Sequence, residues 1–170
     1  MTQDDGAVLV GLGANKAWLG SRPAQTVEAA ARALSRLGET ALSPLYDSPA
    51  WPDPTDPPYV NAVLRWRTAL SPEAALEALL ATEAAFGRRR RGPNAPRTLD
   101  LDLLAHGRAV RGSAALALPH PRLTQRDFVL LPLRDVAPRW RHPVTGEGPD
   151  ALIEALPSVT ARRRPPCNAA

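Results

Sequence analysis

The chain has 170 residues, a net charge of +4 and an apolar content of 44%, which fits one domain around a single core and excludes a disordered chain. No apolar run is long enough to cross a bilayer. The opening MTQDDGAVLVGLG carries two acids where a secretory signal needs basic residues, and Cys167, the only cysteine, allows no intramolecular disulfide, so a reducing, cytoplasmic setting is expected. The basic side is twenty arginines and one lysine, Lys16. Arginine grips phosphate oxygens bidentately, so this balance fits nucleic acid or a polyphosphate ligand without choosing between them.

Residues 7–12, AVLVGL, read as a buried strand, followed by the loop GANKAWLG. Ser21, ahead of Pro23, caps an expected amphipathic helix to Leu37, with Val27, Ala30, Ala31, Leu34 and Leu37 on one face and Gly38 as its stop. Residues 40–47 read as a weak strand. The stretch 48–58, SPAWPDPTDPP, is too proline-rich for a helix or a central strand. Residues 59–69 form a clear strand. Ser71-Pro72-Glu73 opens a helix to Phe86, GRRRRGPNAP at 87–96 is a second long loop, and 97–105, RTLDLDLLA, is a strand. A hairpin across 108–118, a loop, a short helix near 128–136 and a flexible tail from 161 complete the chain, with 1–160 as the single domain. The order strand–helix–strand–strand–helix–strand predicts an α+β, ferredoxin-like βαββαβ core, helices on one face of an antiparallel sheet, plus short C-terminal elements.

Alternation along a strand puts Thr98, Asp100 and Asp102 on one face and Leu99, Leu101 and Leu103 on the other. Two carboxylates roughly 6–7 Å apart repel unless a cation sits between them. Such hard oxygen ligands suit Mg²⁺ that takes its remaining ligands from substrate phosphates. A D-x-D is also what any half-exposed strand shows. The surroundings favour phosphate: Arg97 precedes the strand and four arginines, 88–91, feed it. Metal-clamped phosphoryl chemistry needs cations of both kinds.

The segment PRTLDLDLL at 96–104 resembles the signature of the 6-hydroxymethyl-7,8-dihydropterin pyrophosphokinases of folate biosynthesis. GLGANK, YDSPAW at 46–51, YVNAV at 59–63, EAAFGR at 83–88 and LPHPRLTQRDFVLLPL at 118–133 follow that family's order and spacing. The resemblance implies a ferredoxin-like fold and a Mg²⁺-dependent transfer of diphosphate from ATP to the pterin hydroxymethyl group, releasing AMP. It implies that Asp100 and Asp102 hold two Mg²⁺ ions. Arg88 and Arg97 would contact ATP phosphates, and Glu83, Leu103, His120 and Arg126 would lie on the ATP side. Tyr59 and Phe128 would sandwich the pterin, Asn61 would read its polar edge, and Ser48 and Pro49 would meet it by their backbone.

The second loop is one residue shorter than in relatives, with Asn94 and Ala95 where they carry tryptophan and glycine. Trp51 is the expected replacement lid, added to the pterin-binding set, and loops 48–58 and 87–96 are expected to close over ligands. Leu80, Ala115 and Lys16 also depart from the family pattern. The partners expected are small molecules, ATP and dihydropterin, with no nucleic acid, no membrane and a monomeric chain. Two other readings remain open from the residues: another two-metal nucleotidyl or phosphoryl transferase, or a basic ferredoxin-like nucleic-acid-binding module.

Overall fold

The structure, a computed structural model, describes residues 4, 6–89 and 96–166. Its central strand is β1 (Val8–Ala14), flanked antiparallel by β4 (Tyr59–Arg67) and β5 (Asp100–His106). A strand paired on both sides and covered on both faces needs a continuous apolar run, and every β1 residue except Gly11 is buried.

The following helix is α1 (Pro23–Leu34). It is shorter than expected: residues 35–37 tighten into a 3₁₀ turn. Gly38 then takes φ +150°, and a Cβ there would collide with the Arg67 carbonyl. Ser21 is not the cap. Its backbone pairs with Trp18, and Arg22 occupies the cap position, its N–H donating to Gln25 Oε1 at 2.9 Å.

The expected strand at 40–47 is two pieces, β2 (Glu39–Leu42) and β3 (Tyr46–Ser48), both on β4 with registers one residue apart. Pro44, which cannot donate to a ladder, sits at the break. There Ser43 Oγ accepts the Val63 N–H at 3.0 Å. Helix α2 (Pro72–Ala85) starts as read, with the Ala74 N–H donating to Ser71 Oγ at 3.2 Å. Strand β5 begins three residues later than the expected 97. Thr98 therefore lies before the strand and is buried, because the backbone at Arg97 bonds to the first loop instead of a ladder. The hairpin β6 (Arg111–Gly112) and β7 (Ala117–Leu118) lies within 108–118.

Helix α3 (Asp127–Val136) begins one residue before the expected start. Two elements were not foreseen: α4 (Pro149–Glu154) and β8 (Arg162–Arg163). β8 lies in the stretch read as a tail, yet it pairs with β3, and Ala161 before it is buried.

The main sheet runs β5-β1-β4-β3-β8, with β2 also on β4. Taking β2 and β3 as one interrupted strand, this is the expected ferredoxin-like order. The helices, however, occupy both faces. Val27, Ala30, Leu34 and Leu79 of α1 and α2 pack on Val10, Leu12, Leu64 and Leu101. Val129, Leu130 and Leu133 of α3 pack on Leu9, Val63 and Leu104 across the sheet. Each such valine or leucine contributes about 1.5–3 kcal/mol when fully buried. The second layer exists because α3 carries a continuous apolar stripe that needs a partner surface. A bulge serves that layer: Leu9 pairs with Ala105 and Val10 with Leu103, leaving Leu104 as the extra residue. Its side chain joins the α3 core while its carbonyl accepts the His120 N–H at 2.8 Å.

The C-terminal segment is held by Asp127. Its Oδ2 accepts N–H groups of Thr160 at 2.5 Å and Ala161 at 2.8 Å, and its Oδ1 accepts the Phe128 N–H at 2.7 Å. Burial works to raise the Asp127 pKa, but the hydrogen bonds from Ala161, Thr160 and Phe128 prevail and hold it below the ordinary value. Such a group contributes stability above the unfolded pKa, near 3.9, and loses it as pH falls through the lower folded value. Asp127→Asn should cost about 1.5–3 kcal/mol at neutral pH, and the gap to wild type should close below pH ~4. Urea titrations at pH 7 and pH 3 check this; a gap that is the same at both would contradict the assignment.

Candidate active site

The site begins with the register of three strands. Gly13 pairs with Asn61 of β4 on one side and Asp100 of β5 on the other. Gly11 likewise pairs with Val63 and Asp102. Cross-strand partners point to the same face, so each row reads carboxylate, glycine, β4 side chain. The glycines contribute nothing above the sheet and leave a trough about 10 Å across, two strand spacings. A Cβ at Gly13 would sit 3.4 Å from Asn61 Oδ1. Helix α3 covers only the Leu9–Val63 end of this face, and the glycine end opens into a cleft of about 490 Å³.

All six residues expected around the pterin line this cleft: Ser48, Pro49, Trp51, Tyr59, Asn61 and Phe128. Asn61 is buried, and its Nδ2 donates to Ser48 Oγ at 2.7 Å, fixing the amide plane. Burial raises the Tyr59 phenol pKa. Phe128 is braced by the Arg126 guanidinium, 5.7 Å from its ring centre. Trp51 is 75% exposed at the cleft mouth.

Arginines meet both carboxylates. Arg88 Nη1 bonds Asp100 Oδ1 and also Glu83 Oε1, the latter at 2.6 Å. Arg97 Nη1 donates to Asp100 Oδ2 at 2.8 Å, and Arg126 Nη1 reaches Asp102 Oδ2 at 3.4 Å. Burial opposes the charge on Arg88, but Asp100 and Glu83 prevail and raise its pKa. Asp102 is raised by burial and then by the charge of Asp100, against His120, Arg126 and Arg97.

A second cavity of about 270 Å³ lies on the other side of Asp102. Glu83, Leu103 and His120 line it, as does Arg88, among aliphatic side chains that include Leu76, Leu80 and Leu116. Arg126 instead lines the first cleft. Glu83 is not a free helix acid: it is buried, and its Oε1 also accepts the Leu101 N–H at 2.7 Å on the open edge of β5. Burial raises its pKa. His120 Nδ1 accepts the Arg122 N–H at 3.1 Å, which leaves the ring proton on Nε2. Burial lowers its pKa despite Asp102.

Residues lining the cleft that sequence reasoning missed include Gly11, Gly13, Arg122 and Gln125. Glycines at alternate strand positions signal a close approach on one face, so the first two were findable. Asn94, Ala95 and the last two arginines of the run, 90 and 91, lie outside the described residues.

A family model described as 7,8-dihydro-6-hydroxymethylpterin-pyrophosphokinase (HPPK) matches residues 9–138. The chain is 40% identical over 161 residues to the 2-amino-4-hydroxy-6-hydroxymethyldihydropteridine pyrophosphokinase of Pseudomonas aeruginosa, covering 93% of this chain and 96% of that one. It is 44% identical over 103 residues to the Synechocystis protein of the same name, covering 61% of this chain and 53% of the relative. To the folic acid synthesis protein fol1 of Pneumocystis carinii it is 36% identical, over 84% of this chain and 19% of that one. The chain thus spans about half of the Synechocystis relative, a fifth of the fungal one and nearly all of the Pseudomonas one. The fold is similar to a crystal structure of Plasmodium falciparum HPPK-DHPS with pteroate, with a TM-score of 0.66 and 14% identity over 87% of this chain and 42% of that one. On the family match and the Pseudomonas identity together, this chain belongs to the 7,8-dihydro-6-hydroxymethylpterin-pyrophosphokinase family.

Proposed function

We propose that this chain transfers diphosphate from ATP to the hydroxymethyl group of 6-hydroxymethyl-7,8-dihydropterin, a step of folate biosynthesis, giving AMP and the pterin diphosphate. The observation that carries this reading is the meeting of two unlike cavities at Asp102. One is walled by two aromatics and a fixed amide, which suits a flat heteroaromatic ring. The other has aliphatic side chains from Leu76, Leu80 and Leu116 beside the polar groups Glu83, Arg88 and His120, and suits a nucleoside with its phosphates turned toward Asp102. A group passed between the two ligands must cross the carboxylates.

Asp100 and Asp102 are the proposed holders of two Mg²⁺ ions. The donor set fits: both are hard oxygen ligands, and among the described residues no cluster of three His, Cys, Asp or Glu completes an all-protein site, so water and phosphate oxygens would supply the rest, as Mg²⁺ prefers. When bound, the ions neutralise charge on the triphosphate. The chain's own residues do the remainder. Arg88, Arg97 and Arg126, now on the aspartates, are placed to fork phosphate oxygens. Tyr59, Phe128 and Asn61 orient the ring so that its hydroxyl lies in line with the β-phosphorus. The hydroxyl oxygen bonds to that phosphorus as its bond to the α-phosphate bridging oxygen breaks. AMP leaves, and the hydroxyl proton passes toward the carboxylate side of the cleft.

The proposed partners are small molecules, ATP and the dihydropterin, acted on by a monomer, and the use of ATP supports a cytoplasmic location. Among the described residues no helix is long and apolar enough to cross a membrane.

The test is to incubate the chain with Mg²⁺, ATP and the dihydropterin and to follow AMP by chromatography. AMP should form only with the pterin present. Asp100→Ala and Asp102→Ala should each lower kcat by about 10²–10³-fold or more with the thermal midpoint kept; near-wild-type turnover in either would sink the metal assignment. Trp51 gives a separate check. Trp66 and Trp140 are buried in the core and Trp18 packs on Phe86 outside both cavities, so pterin-dependent quenching of tryptophan fluorescence should come chiefly from exposed Trp51. Trp51→Leu should remove most of the quenching and weaken pterin binding by about 0.5–1.5 kcal/mol. Unchanged quenching would mean that Trp51 is no lid.

A further inference from the structure

Asn15 follows the last residue of β1, is 5% exposed and points at neither cavity. Its hydrogen bonds nevertheless join three segments. Its Oδ1 accepts the Arg97 N–H at 2.8 Å. Its Nδ2 donates to the Pro57 carbonyl at 3.0 Å. Its own N–H, with that of Lys16, donates to the Arg97 carbonyl at 3.1 and 3.2 Å. Arg97 is thus bonded on both sides of its Cα by the first loop, just where the arginine loop returns to the sheet. Pro57 is near the end of the proline loop, two residues before Tyr59.

We infer that Asn15 is a positioning residue that sets the Arg97 guanidinium on Asp100 and ties the proline loop, and with it Tyr59, to the same point. A purely structural asparagine in a strand-end turn would satisfy neighbouring backbone. This one satisfies backbone 42 and 82 residues away, in the two segments that flank the cleft. The side chain is suited to it: an amide offers an acceptor to Arg97 and a donor to Pro57 at once, and a buried amide with both ends bonded cannot rotate freely. The lever is short. Arg97 Nη1 lies 2.8 Å from Asp100 Oδ2, so a shift of its backbone of about 1 Å moves the guanidinium off its partner, and misplacements of that size cost up to about 10²-fold in rate.

This inference rests on the diphosphate-transfer reading, and the experiment separates their failures. AMP formation is measured for wild type, Asn15→Ala, Arg97→Ala and the double variant, with thermal midpoints. Wild type that makes no AMP would sink the reading of function itself. Given an active wild type, Asn15→Ala should lower kcat roughly tenfold or more, but less than about twofold when Arg97 is already alanine, because residues acting through one another are not additive. Its KM for the pterin should also rise, through the loss of Pro57. Asn15→Asp keeps the acceptor for Arg97 and sets a carboxylate oxygen against the Pro57 carbonyl. It should therefore hold kcat better than Asn15→Ala while its pterin KM rises at least as far. Equal penalties in both Arg97 backgrounds, or a kcat for Asn15→Asp no better than that of Asn15→Ala, would overturn the assignment.

Discussion

The register of β1 between β4 and β5 is the constraint on which the site depends. It places Gly13 between Asn61 and Asp100 and Gly11 between Val63 and Asp102. Side chains in a sheet have a period of two, so a slip of one residue would turn both aspartates into the α1–α2 core and bring Leu101 and Leu103 to the surface. That exchange would bury two carboxylates and expose two leucines, which makes the alternative register prohibitively costly. The same alternation that forms the core on one face of the sheet therefore fixes the chemistry on the other.

Charge balance is the second constraint. Two carboxylates at this spacing need cations, and Arg88, Arg97 and Arg126 supply them from three different segments. Glu83 ties this cluster to the scaffold: one carboxylate oxygen takes both the Arg88 guanidinium and the open-edge N–H of Leu101. The segments carrying the cations are held in turn by backbone contacts, with the Leu104 bulge seating His120 and the first loop seating Arg97. The site is thus a set of charged side chains whose positions are fixed mainly by backbone hydrogen bonds further out.

Much of this was legible in the sequence. Alternation in RTLDLDLLA put Asp100 and Asp102 together on one face, and YVNAV did the same for Tyr59 and Asn61. The element order gave the ferredoxin-like topology, and the ordered landmarks pointed to the family the comparisons show. What escaped has physical causes. Thr98 looked like part of the strand because the alternation extends to it, whereas the bonds that pull Arg97 away come from Asn15 and Lys16, 82 and 81 residues earlier. Strand β8 has no pattern of its own: two arginines become a strand only because β3 offers an edge and Asp127 holds Thr160 and Ala161. Helices on both faces were missed because α3 is too short to declare which side of the sheet it will cover. The family resemblance put Glu83 on the ATP side, but nothing local announces its burial, which depends on where β5 docks.

If the register makes the binding trough, filling the trough should abolish binding without disturbing the sheet. Gly13→Val tests this directly, since valine is favoured in strands and its methyls would occupy the floor beside Asn61. Titration calorimetry with the dihydropterin should show affinity lowered by roughly 100-fold or more, a loss of about 2.7 kcal/mol, with the thermal midpoint and the affinity for a non-hydrolysable ATP analogue retained. Undiminished pterin binding in a folded Gly13→Val variant would contradict the account.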